Sequence, residues 1–112
     1  MCKTKMNLFD DFMGVETKVR LIQGIIASEG VDTEVDPALL IVRVRNLRNV
    51  LEDYPFTSEK VDSWLFYTGN IIADLKSLSI EVPIISDYIM KVLKELDDLR
   101  HDSKEFIENQ LV

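Results

Sequence analysis

Apolar residues recur at alternating steps of three and four along four separate stretches of this 112-residue chain. The first runs Leu8, Phe12, Val15, Val19, Ile22, Ile26, and the second Leu40, Val44, Leu47, Leu51. The third runs Val61, Trp64, Thr68, Ile71, Leu75, Leu78, and the fourth Ile85, Ile89, Val92, Leu96, Leu99, Ser103, Phe106. Residues three and four apart share a helix face, so this spacing predicts four amphipathic helices, each with one stripe to bury. Thr68 and Ser103 are polar slips in the pattern. The expected fold is all-α: an antiparallel up-and-down four-helix bundle with helices at 8–28, 37–53, 59–79 and 84–110. The short connections favour neighbours in space.

Local chemistry sets the boundaries. Gly30 is a plausible helix stop, and Asp36-Pro37 pairs a favoured cap with a favoured first helical residue. Between them, Glu29 to Asp36 carries four acids and no base, as a loop does. In the second helix Ile41-Val42-Arg43-Val44-Arg45 also alternates as a strand would. The start signal and the continuation to Leu47 and Leu51 decide for helix. Pro55 disfavours a helical Tyr54 and separates the second and third helices. Gly14 and Gly24 weaken the first helix, whose stripe is thickened by Phe9, Leu21 and Ile25. Thr68-Gly69-Asn70 marks a place for a kink in the third. The fourth is expected to be the longest.

Thirteen basic against twenty acidic residues give a net charge of -7. Phosphate contact needs clustered Lys and Arg, so this balance argues against nucleic acid as a partner. The lone thiol, Cys2, cannot build a disulfide framework and points to a reducing, cytoplasmic setting. Asp10-Asp11 follows Leu8-Phe9 directly, leaving no apolar core for a secretory signal, and no apolar run is long enough for a membrane span. The expected organisation is one helical domain over 1–112, with 1–6 disordered.

No catalytic constellation stands out. The one histidine, His101, sits between Arg100 and Asp102 on a charged face, with Asp97 and Asp98 as its only nearby carboxylates. That is half a zinc site at most. Glu59-x-x-Asp62 and Glu105-x-x-Glu108 each place two carboxylates on one helix face. Some all-helical nucleotide pyrophosphohydrolases hold Mg²⁺ with such pairs, which makes a magnesium-dependent enzyme of that kind an alternative reading. Against it, acids in a first helical turn commonly serve the helix dipole, and the two pairs come in the reverse order. Glycine-rich phosphate loops and complete calcium loops are absent from the sequence. The expectation is therefore no cofactor and no metal.

Surplus apolar residues are the remaining signal. Leu39 and Val42 fall off the second stripe, and Phe66 falls opposite Trp64. Exposed aromatics and aliphatics of this kind are enriched at interface centres. Arg43, Arg45 and Arg48 share the second helix with no acid between 37 and 51. They serve either as bridges to acids of neighbouring helices or, in the case of Arg45, as part of a contact surface. The expected function is a non-enzymatic interaction module, a small acidic adaptor, inhibitor or immunity-type regulatory protein. It would act through Leu39, Val42, Arg45 and Phe66 on a protein partner or on a second copy as a homodimer. An acidic DNA mimic is a further alternative, weakened because Lys91, Lys94, Arg100 and Lys104 interrupt the acids.

Overall fold

The computed structural model describes residues 5–50 and 58–110. Among them the chain forms α1 (Lys5–Glu29), α2 (Pro37–Val50), α3 (Ser58–Glu81) and α4 (Ser86–Gln110), with a single 3-10 turn at Pro83–Ile85 ahead of α4. The described residues contain no strand, so the alternating stretch in α2 is helical. Lys5 and Met6, expected to be disordered, open α1. Residues 1–4 and the expected end of the second helix at 51–53 lie outside the described residues. At 25 residues α1 equals α4, so the fourth helix is not alone in being longest.

The caps follow the sequence chemistry. Gly30 has φ +65°, its N–H donates to the Ala27 carbonyl, and the Val31 N–H donates to the Ile26 carbonyl. This is a Schellman closure, which needs a residue at ease in the left-handed region. At the start of α2 the Asp36 carboxylate accepts from the Ala38 N–H at 3.0 Å, satisfying one orphan donor of the first turn. After α3, Pro83 sits at the first position of the 3-10 turn, where its missing N–H costs nothing.

Each helix packs mainly on two others: α1 on α2 and α4, and α3 on α4 and α2. The arrangement measures 49 × 25 × 17 Å along its principal axes. Every residue of the first stripe is buried, and so are Leu40, Val44 and Leu47 of the second. Trp64 spans the core: its ring meets Phe12 edge-on at 5.9 Å, and its indole N–H donates to the Leu47 carbonyl at 3.2 Å. Arg43 reaches Asp74 at 2.7 Å, so stepping forward along α2 from 43 to 47 moves backward along α3 from 74 to 64.

Both polar slips are buried. Thr68 Oγ1 donates to the Trp64 carbonyl at 2.7 Å, and α3 continues through Thr68-Gly69-Asn70 as one helix. Ser103 is fully buried and its hydroxyl has no partner among the described residues. At the end of α4 the core position passes from Ser103 to Ile107, while Phe106 is only half-buried. A helix of 3.6 residues per turn drifts against an alternating three-four pattern, and a step of four restores the seam. Phe9 and Ile25 are half-buried as thickening of the first stripe, but Leu21 is exposed, because the face beyond α2 and α4 has nothing to cover it.

Candidate functional site

In α2, the buried residues Leu40, Ile41, Val44 and Leu47 cover a broad arc that faces α1 and α3. Leu39 and Val42 are three apart and lie on the opposite side, 45% and 47% exposed. They therefore form a small apolar outward face on the first two turns of α2, directly after the acidic loop. The signal for them in the sequence was their departure from the stripe.

The arginines are divided by the same geometry. Arg45 Nε donates to Glu16 of α1 at 3.1 Å, and Glu16 also takes Arg20 at 3.7 Å. Arg43 is held by Asp74 of α3. Two of the three arginines on α2 thus pin it to its neighbours on either side. Arg45 borders the outward face, but its charge is spent inside the molecule.

Phe66 is 64% exposed on the outer side of α3 and meets Tyr67 edge-on at 5.8 Å. Val42 stands beside Arg43, level with Asp74, and Phe66 is eight residues from Asp74 along α3, about 12 Å at the helical rise. The structure thus places Phe66 on a different helix and away from Leu39 and Val42. Between α2 and α3 runs a groove of about 1100 Å³ whose apolar lining comes from Leu47, Val50, Trp64 and Ile71. The chain joining Val50 to Ser58 lies outside the described residues, and the groove carries no functional assignment.

The acid pairs do not form a metal-holding group among the described residues. Glu59, Asp62, Glu105 and Glu108 are all exposed, and Glu108 lies 4.0 Å from Lys104 on its own helix. No group of three or more His, Cys, Asp or Glu placed to hold a metal occurs among the described residues. A hollow of about 330 Å³ between α1 and α4 is lined by Asp10, Asp11, Glu95 and Asp98 around Gly14, and Lys18 closes on Glu95 at 2.6 Å. His101 is exposed, its Nδ1 2.9 Å from the Asp97 carbonyl oxygen of the preceding turn.

Sequence reasoning missed further exposed apolar residues. Ile80 and Ile84, at 73% and 75%, are the most exposed large hydrophobic side chains described; Ile80 lies in the last turn of α3 and Ile84 in the 3-10 turn that follows it. Leu21, Met13, Tyr67 and Met90 are also exposed. Ile80 lies off the third stripe by the same logic that singled out Leu39, so the signal was present. No described helix is long and apolar enough to cross a membrane. No protein-family model, curated protein or solved structure matches this chain.

Proposed function

We propose that this protein is a non-enzymatic interaction module that binds another protein through the outward face at the start of α2. The observation that carries this reading is the exposure of Leu39 and Val42 side by side, on a helix whose own core positions are already filled. Leaving these two half-exposed aliphatic side chains in water forgoes burial worth roughly 1 kcal/mol each, a cost that a partner covering them would recover. Arg45 is assigned to the scaffold, holding α2 on α1 through Glu16. Phe66 belongs to a separate outer face and is not part of this contact. The single cysteine fits a reducing, cytoplasmic setting for an adaptor or inhibitor of this kind.

The test compares the wild type with Leu39→Ser/Val42→Ser. Both positions are on the surface, so the helical circular dichroism signal and the unfolding midpoint are expected to stay close to wild type. Proximity labelling in the source cell, with sedimentation of the purified protein, then reads partners and mass. Loss of a partner in the variant supports the reading. An unchanged partner set together with an unchanged mass overturns it. A dimer lost in the variant assigns the face to self-association instead.

A further inference from the structure

We infer that the bundle end where the α1–α2 loop meets the α3–α4 turn docks a basic, amphipathic helical segment of a partner protein. This rests on the interaction reading and adds to it the location and chemistry of the partner. Two stretches meet at this end, 21–42 and 77–90, and neither contains a lysine or arginine. They hold six acids: Glu29, Asp32, Glu34, Asp36, Glu81 and Asp87. They come together physically, because the Glu34 N–H donates to the Glu81 carboxylate at 2.6 Å.

Several carboxylates elsewhere are met by bases: Glu16 by Arg20 and Arg45, Asp74 by Arg43, Glu95 by Lys18 and Glu108 by Lys104. At this end none of the six carboxylates has an ion-pair partner among the described residues. Asp36 is used as a helix cap and Glu81 as the tie between the loops. Glu29, Asp32, Glu34 and Asp87 are exposed.

The same two stretches hold Leu21, Leu39, Val42, Ile80, Ile84 and Met90, six of the nine large hydrophobic side chains exposed among the described residues. Carboxylates without an ion-pair partner among the described residues and exposed aliphatic side chains therefore share the two stretches that hydrogen-bonded Glu34 and Glu81 bring together. Ile80 and Ile84 offer the apolar contact, and the carboxylates border it. The complementary ligand carries aliphatic residues on one helical face and Lys or Arg on its flanks. Nucleic acid and anionic membrane are repelled by the same charges. A two-fold symmetric second copy would set the six acids against their own equivalents, and Arg43 and Arg45 are already committed within the chain.

The experiment titrates the ¹⁵N-labelled full chain with a synthetic Leu/Lys amphipathic helix of about four turns, about 15 residues. A scrambled peptide of the same composition and an anionic lipid vesicle serve as comparisons. The expected result is amide shifts centred on 29–42 and 79–90, with an affinity that falls about tenfold from low to high salt. Ile80→Ser/Ile84→Ser is expected to weaken binding about tenfold. Glu29→Gln/Asp32→Asn/Glu34→Gln is expected to flatten the salt dependence, since exposed rim charges act mainly on association.

Equal binding of the scrambled peptide, shifts centred on the α2–α3 groove, or no effect of either variant set overturns the proposal. So does binding of the vesicle, or a dimer that Ile80→Ser/Ile84→Ser dissociates. If Leu39→Ser/Val42→Ser loses a cellular partner while the Ile80, Ile84 and acid variants behave as wild type, the interaction reading stands and this inference alone fails.

Discussion

Replacing Ser103 with alanine is expected to stabilise this protein. The side chain is fully buried on α4, and its hydroxyl has no hydrogen-bond partner among the described residues. A buried, unsatisfied polar group costs about 1–3 kcal/mol relative to one that stays solvated. Alanine also carries a better helix propensity, worth up to about 0.5 kcal/mol over serine. Against this, the void left by one oxygen takes back a few tenths of a kcal/mol. The balance is a gain of about 1–2 kcal/mol, or about 4–8 °C in Tm for a domain of this size. Thr68 provides the comparison, because its hydroxyl is equally buried but bonded to the Trp64 carbonyl. Thr68→Val forfeits that bond, worth about 1 kcal/mol, so the two variants are expected to move in opposite directions. Urea unfolding followed by circular dichroism reads both, with an unchanged slope showing that the exposed area is the same. A Ser103→Ala variant that is neutral or destabilised refutes the reasoning, since the hydroxyl then has a partner in solution.

Trp64 is the sole tryptophan and is buried, so native fluorescence is expected at the blue end of the indole range and to move red in urea. Trp64→Ala is expected to cost about 3–5 kcal/mol, and solvent-like native emission would contradict its placement. A Cβ added at Gly14 meets nothing within 4 Å, so Gly14→Ala is expected to gain about 1 kcal/mol in thermal or urea unfolding. Gly30→Ala is expected to lose about 1–2 kcal/mol in the same assay, because φ +65° is strained for any side chain. Arg45→Ala removes a contact to Glu16 that is open to solvent on the arginine side. It is expected to cost less than about 1 kcal/mol, to cost less still at high salt, and to leave partner binding unchanged.

The stripes were readable because burial on a helix is a matter of angle alone. Leu8 through Ile26 needed no knowledge of neighbours, and neither did the identification of Leu39 and Val42 as surplus. What the pattern could not supply was the width of each buried face. Ile41 is in the core although it lies beside the stripe, because α2 buries against both α1 and α3. Leu21 is out of the core although it lies beside an equally good stripe, because no helix covers that side. Val82 is buried in a connection where no periodicity operates, held by its N–H to the Leu78 carbonyl. The pairing of Arg45 with Glu16 required the relative height of two helices, which spacing within one helix does not contain. The bundle end escaped notice for a related reason: its two halves are over forty residues apart in the chain and meet only through the loops.

The path by which the four helices pair also bears on how the chain assembles. Packing is most extensive between α1 and α2 and between α3 and α4, pairs joined by short connections, and it is sparse between α2 and α3. Each pair is a helical hairpin that closes locally with little loss of loop entropy, and low contact order of this kind belongs to fast folders. The hairpins then dock through α1 on α4, with Trp64 and the Glu34–Glu81 tie as cross-links between them. The α2–α3 seam is the most sparsely packed of the four and is expected to open first. Its amides are the ones in which hydrogen exchange at equilibrium would register the two hairpins breathing apart.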